Sequence, residues 1–185
     1  GVIACTGLLV YASIGTMWIV PAIFVHGAVL ATLFAPMHET AHGTAFRTLW
    51  LNEAVLWLCS LIYIFPPHWF RYHHAFHHTY TQVRRMDSAM VLPKPITVKQ
   101  YLFYVSGLMV WKRNLSYLFG HALGRIDPAE RTYAPEDQFP ALIRQARIML
   151  FIYAGVGVIA VAYGSWAPVI YWLVPRVAGE SYARW

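Results

Sequence analysis

Two groups of histidines carry the chemistry that this sequence can offer. Nine histidines occur in the 185 residues, and seven of them lie between residues 38 and 78. The first group is His38-Glu39-Thr40-Ala41-His42, and the second is His73-His74-Ala75-Phe76-His77-His78. Residues three or four apart share one face of a helix, so His38 would pair with His42, and His74 with His77 and His78. Five imidazoles could therefore converge from two helices, and neutral imidazole binds Fe, Cu, Zn and Ni.

The first group also leaves a different metal enzyme open. His38-Glu39-Thr40-Ala41-His42 matches the HExxH pattern of zinc proteases literally, so a membrane zinc protease is an alternative. Three further histidines in the second group exceed what a three-ligand zinc site needs, and no cysteine accompanies them as in a structural zinc cage. A histidine-based metal transporter is a weaker alternative, because only His26 is ionisable within the apolar runs.

The remaining histidines are given supporting roles. His26 lies in the middle of an apolar run, and we expect it to form a hydrogen bond between helices. We expect His68 and His73 to surround the site or lie at the surface. We do not expect His121 to bind metal. Neither Cys5 nor Cys59 has a predicted partner, and both are expected to be small buried apolar residues.

The composition is that of a membrane protein. Hydrophobic residues make up 58% and charged residues 12% of the chain, whereas soluble domains carry roughly 25% charge. Residues 1–38 and 148–175 contain no charged residue at all. The net charge of +6 therefore does not indicate a nucleic-acid partner, because a nucleic-acid surface would not need two long uncharged stretches.

The apolar runs predict an all-α integral membrane fold. A run of about 20 apolar residues crosses the hydrocarbon core, which predicts a span at residues 17–37 and part of another at 2–14. A second hairpin is predicted from a helix at 142–163 and a helix that starts near Ala167 and is kinked at Pro175. The fold would have about four transmembrane helices in two hairpins, with interfacial helices at 54–67 and 101–111 and a polar surface loop at 124–140.

The distribution of basic residues predicts the orientation of these hairpins. Twelve of the fourteen Lys and Arg residues lie between residues 39 and 147, and basic residues stay on the cytoplasmic side of membranes. Both histidine groups are therefore expected to face the cytoplasm. We expect residues 1–185 to form a single membrane domain that is truncated at both ends, since the chain begins at Gly1 within an apolar run.

Both histidine groups resemble motifs of a known family. Residues 38–46 resemble the first histidine box of the membrane fatty acid desaturases. The Phe70-Arg71 pair, followed by residues 74–79, resembles the second box. The resemblance covers essentially the whole chain. It implies a di-iron site of which this chain supplies five ligands, namely His38, His42, His74, His77 and His78.

The same resemblance implies residues beyond these ligands. A third HxxHH box is expected after Trp185, and without it the fragment alone is expected to be inactive. Asp87 stands where many relatives have an acidic residue, and we assign it no ligand role. We expect Glu39 and Thr40 to support the ligands from a second layer.

The activity that the resemblance implies is an oxygen-dependent desaturase, which introduces a double bond into a fatty acyl chain with two Fe ions and O₂ as co-substrate. A di-iron hydroxylase or ketolase acting on an alkane, sterol or carotenoid is the alternative. The partners would be a membrane lipid or acyl substrate and an electron donor such as a ferredoxin or a cytochrome b5-type protein. The basic residues of the cytoplasmic segment could meet acidic head groups or the donor, although membrane topology alone explains them: Arg71, Arg84, Arg85, Lys94 and Lys99.

Overall fold

Helices account for the regular structure of the chain. The structure is a computed structural model that describes residues 1–83, 86–88 and 97–180. Glu180 is described by its backbone only. Arg84, Arg85 and Lys94 of the predicted basic segment lie outside the described residues. Over the ranges described there is no β-strand. The predicted all-α membrane fold is confirmed.

The described residues form α-helices in the following order along the chain. They are α1 (Val2–Ser13), α2 (Ile19–Ala31), α3 (Phe34–Ala41), α4 (Leu49–Tyr63), α5 (Pro67–Thr79), α6 (Val98–Val105), α7 (Leu108–Ala122), α8 (Phe139–Ala162) and α9 (Val174–Glu180). Two 3₁₀ turns, Pro128–Thr132 and Glu136–Gln138, connect α7 to α8, and a π-helical turn, Val169–Leu173, precedes α9.

Within the part of the chain that the structure describes, two helical stretches are long and apolar enough to cross a membrane. They are Ile19–Ala41, which joins α2 to α3, and Glu136–Ala162, which contains α8. The bent pair of α4 and α5 would make a third span. Of the four predicted spans, the other two correspond to the shorter apolar helices Val2–Ser13 and Val169–Gly179. At 1.5 Å per residue these helices fall short of the hydrocarbon thickness.

A sharp bend separates α4 from α5. The two helix axes meet at 95°. Ile64 takes the left-handed conformation with φ of 58°, and the amide of Phe65 donates to the carbonyl of Ser60 at 3.0 Å. Pro66 and Pro67 follow, and proline suits the first turn of a new helix because it has no amide hydrogen to leave unpaired. The predicted interfacial helix at 54–67 is therefore the end of α4, and the chain turns at the proline pair into α5.

Two other predicted segments differ from the structure in detail. The predicted interfacial helix at 101–111 is divided between α6 and α7, where the hydroxyl of Ser106 donates to the carbonyl of Phe103 at the end of α6. The predicted surface loop at 124–140 buries Glu130 completely. That carboxylate is buried because it accepts hydrogen bonds from the His121 ring and from the amide of Asp127.

The N-terminal hairpin packs closely against α9. Gly27 of α2 and Gly179 of α9 face each other so closely that a Cβ atom added to Gly27 would lie 2.3 Å from the carbonyl oxygen of Pro175. Small residues of this kind let two helix backbones approach within a membrane. The Nε2 of His26 donates to the carbonyl of Tyr171 at 3.1 Å, which confirms the predicted hydrogen bond between helices.

The buried core lies beneath the two histidine groups. Met37, Leu56, Trp69, Phe70 and Leu142 are among its members, and they come from α3, α4, α5 and α8. Since α3 and α5 carry the histidine groups, burial of their apolar faces fixes how these groups face each other.

Candidate metal centre

Four histidines from the two groups meet between α3 and α5. They are His38, His42, His74 and His78, and one nitrogen of each lies within 4.8 Å of those of the others. The i, i+4 spacing predicted both pairs, because His38 lies on α3 with His42 at its end, and His74 and His78 lie on one face of α5. The structure thus brings together four of the five predicted ligands, and His77 stands apart from them.

Two of the distances between these nitrogens are those of ligands on one metal ion. The Nε2 of His78 lies 3.0 Å from the Nε2 of His74 and 3.4 Å from the Nε2 of His38. Imidazole nitrogens at about 2.1 Å from one ion would lie about 3.0 Å apart at a right angle and about 3.4 Å apart in a tetrahedron. A donor set made only of imidazoles suits iron as well as zinc, copper or nickel. The four residues therefore fit a transition-metal ion.

The ends of the two helices hold this arrangement in place. Gly43 follows His42 with φ of 73°, a left-handed conformation that glycine adopts without strain and that ends α3 directly after the first group. The Nε of Arg71 on α5 donates to the carbonyl of Ala41 at 3.1 Å, and its Nη2 donates to Glu53 at 2.7 Å. Arg71 therefore ties the end of α3 to α4 and α5, where the sequence suggested only a basic surface residue.

The crowding of the rings favours neutral imidazoles. Partial burial lowers the pKa of His42 below its ordinary value, and the neighbouring rings of His38 and His78 lower this pKa further. A charged imidazolium has no lone pair for a metal, whereas the neutral ring does. The surroundings therefore keep His42 in the form that a ligand requires.

Two aromatic rings pack against the histidines. The ring of Phe70 stacks on His74 with centroids 5.0 Å apart and planes at 10°, and Phe34 lies 6.1 Å from His38. Phe34 in turn packs on Tyr63 at 5.9 Å. Phe70 is buried, whereas Phe34 is 41% exposed, so of these two rings only Phe34 offers an accessible apolar surface beside the histidines.

His77 makes a different contact from the other predicted ligands. Its Nδ1 lies 2.7 Å from the Oδ1 of Asp87, whose side chain is completely buried. Its ring centroid is 5.7 Å from that of His78 and 6.1 Å from that of His74. Sequence reasoning gave Asp87 no role, although an acidic residue shortly after the second group was the signal that could have suggested one.

The two residues predicted to support the ligands behave differently. The Oε1 of Glu39 lies 2.8 Å from the Nδ1 of His38, so Glu39 contacts a histidine as expected. The prediction for Thr40 is wrong, because its hydroxyl donates within its own helix to the carbonyl of Pro36 at 2.6 Å. Glu39 lies at the nitrogen of His38 that is opposite to the cluster, which is not where the general base of a zinc protease would act on a metal-bound water.

The remaining histidines have other partners. The Nε2 of His73 donates to the carbonyl of Ser88 at 3.1 Å, and the Nε2 of His68 donates to Gln138 at 3.0 Å. His121 is fully buried, and its Nε2 lies 2.8 Å from a carboxylate oxygen of Glu130. None of the three belongs to the four-histidine cluster.

An apolar cavity lies elsewhere in the fold. It has a volume of about 540 Å³ and opens between α7, α8 and the π-helical turn, with Leu118, Tyr153 and Trp172 among its walls. None of the predicted metal ligands lines it. The rings of Phe34 and Phe70, and not this cavity, therefore lie next to the histidines.

Comparison with known proteins gives two further findings. The family model for fatty acid desaturases matches residues 8–185. The chain is also similar to an sn-1 oleoyl-lipid 12-desaturase of Picosynechococcus sp. (strain ATCC 27264 / PCC 7002 / PR-6), with 24% identity over 178 residues. This match covers 94% of the chain and 50% of the relative, so the chain spans about half the length of the relative that it matches. No solved structure matches the chain.

Proposed function

Because the chain belongs to the fatty acid desaturase family, we propose that it forms part of a membrane enzyme that uses O₂ to introduce a double bond into a fatty acyl chain. The observation that carries this proposal is the meeting of four imidazoles, from two separate sequence motifs, within 4.8 Å of one another. The name of the similar 12-desaturase supports an acyl chain carried on a lipid as the substrate class.

The proposed metal ligands are the five histidines of the two groups. His38, His42, His74 and His78 would hold one iron, and His77 would contribute to a di-iron site from its own position beside Asp87. Bound iron would supply, together with O₂, the oxidising power that an unactivated C–H bond requires and that no side chain provides. The residues of this chain would fix the orientation of the ligand rings. Glu39 would orient the ring of His38 by accepting a hydrogen bond from the Nδ1 of that histidine.

The aromatic rings next to the histidines have a role of their own in this proposal. The partly exposed ring of Phe34 presents apolar carbon beside His38, and the buried ring of Phe70 packs on His74. An acyl methylene is apolar, so it would rest on such a surface without leaving a polar group unpaired, and water would be excluded from that side. The substrate would thereby be held next to the nitrogen donors.

The orientation and the electron donor belong to the same proposal. We place the histidine groups at the cytoplasmic face, because most of the basic residues lie in the segment that contains them. A ferredoxin or a cytochrome b5-type protein would deliver electrons there. Acidic residues on such a donor would be attracted by the net charge of +6.

The proposal is tested by the products of a host that expresses the full-length gene. Fatty acids and lipids would be extracted and analysed for new double bonds, with His74→Ala as the inactive comparison and Asp137→Asn, at an exposed carboxylate before α8, as the control outside the cluster. New unsaturated acyl chains in the wild type and in Asp137→Asn, but not in His74→Ala, are the expected result. Hydroxylated or ketonic products would favour the alternative reaction, and purified wild-type protein without iron would overturn the proposal.

A further inference from the structure

The segment that follows the second histidine group folds back onto α5. The hydroxyl of Ser88 donates to the carbonyl of His73 at 2.9 Å, and the Nε2 of His73 donates to the carbonyl of Ser88 at 3.1 Å. The amide of Asp87 donates to the carbonyl of Val83 at 2.9 Å. The backbone around Asp87 is therefore held by hydrogen bonds that do not involve His77.

The carboxylate of Asp87 is placed with the same precision. Its Oδ2 accepts a hydrogen bond from the amide of Gln82 at 2.9 Å, while its Oδ1 lies 2.7 Å from the Nδ1 of His77. The side chain has no exposed surface. A buried carboxylate is costly unless donors satisfy it, so a hydrogen on the Nδ1 of His77 is strongly favoured.

This hydrogen bond determines which nitrogen of His77 can bind a metal. When Nδ1 carries the hydrogen, the lone pair of the neutral ring is on Nε2. Histidines that bind metals commonly donate their other N–H to a carboxylate, which fixes both the tautomer and the orientation of the ring. His38 has a comparable contact with Glu39, but Glu39 is largely exposed, whereas Asp87 is buried.

We propose that Asp87 is the positioning residue of His77: its buried carboxylate fixes the ring so that Nε2 is presented as a metal ligand. Asp87 itself does not touch the metal or the substrate. This inference rests on the proposed function, because it needs a metal centre to which His77 contributes. It explains why a residue outside both histidine groups is buried with its charge directed at one of them.

The test measures how firmly full-length protein, purified in detergent and loaded with Fe(II), retains its iron against increasing concentrations of a chelator. Asp87→Asn keeps the size of the side chain but removes its charge and one of its two acceptor oxygens. Asp137→Asn is the matched control, because it makes the same chemical change at an exposed carboxylate before α8, which accepts a hydrogen bond from Gln138. We expect Asp87→Asn to weaken iron retention about 10- to 100-fold and Asp137→Asn to behave as the wild type.

A double-mutant cycle separates positioning from a general loss of structure. If Asp87 acts through His77, then Asp87→Asn has no further effect on iron retention in a His77→Ala background. An equal loss in both backgrounds would overturn the inference, and so would an Asp87→Asn variant that holds iron as firmly as Asp137→Asn. Failure of the wild type to bind iron would overturn the proposed function as well, so the two failures are distinguishable.

Discussion

Replacing Gly27 by alanine should drive α2 and α9 apart. The added Cβ would lie 2.3 Å from the carbonyl oxygen of Pro175 and 3.0 Å from the amide nitrogen of Gly179. A carbon and a carbonyl oxygen normally approach to about 3.3 Å, so the helices would have to separate by about 1 Å. The obstructing atoms belong to the backbone and cannot rotate away. We therefore expect this clash alone to cost about 1–3 kcal/mol in the free energy of unfolding, as for other overpacked cores.

The matched control for this substitution is Gly155→Ala on α8. A Cβ added to Gly155 meets nothing within 4 Å, so the variant gains only the helix propensity of alanine, which is about 1 kcal/mol over glycine. The same gain applies to Gly27→Ala, and the difference between the two variants isolates the steric term. Unfolding in mixed detergent with increasing SDS, followed by circular dichroism, would measure both. Equal free energies of unfolding for the two variants would refute the close approach of α2 and α9.

Three further substitutions test the surroundings of the histidines. His74→Ala removes a proposed ligand of the cluster and should lower the iron bound per chain, as measured by elemental analysis; unchanged iron would contradict the proposed ligand set. Asn52→Ala removes both hydrogen bonds that hold the backbone of Phe46, and leaving these groups unpaired should cost about 1–3 kcal/mol in SDS unfolding. Arg71→Lys loses the fork that reaches the carbonyl of Ala41, and a stability loss of up to about 1 kcal/mol is expected, whereas a gain would show that this contact is unimportant.

Hydropathy predicted the long helices because charge is excluded from the bilayer. The predicted spans at 17–37 and 142–163 overlap the structural ones, Ile19–Ala41 and Glu136–Ala162. The start of α4 was predicted too late along the chain, because Asn52 and Glu53 separate the apolar residues 49–51 from the apolar run that begins at residue 54. Asn52 is nevertheless buried within α4, since its amide group pairs with the backbone of Phe46. A tertiary contact of this kind leaves no signal in the hydropathy.

The spacing of the histidines predicted most of the candidate site. Residues four apart share a face of a helix, and this alone paired His38 with His42 and His74 with His78. It could not show that the ring of His77, on the same helix, contacts Asp87, because that contact depends on how residues 86–88 fold back. The error for Thr40 has a local cause, since a threonine hydroxyl in a helix can always donate to the carbonyl of the preceding turn.

The bend between α4 and α5 places a branched residue where glycine would be easiest to accommodate. The left-handed conformation of Ile64 costs roughly 1–2 kcal/mol for a residue with a Cβ, and glycine would remove this penalty. However, Ile64 is only 5% exposed and packs with Leu118 and Met149, and burying such a side chain is worth about 1.5–3 kcal/mol. The gain from burial exceeds the conformational cost by a small margin. Natural variation at this position should therefore favour large apolar side chains over glycine, even though the backbone alone favours the reverse.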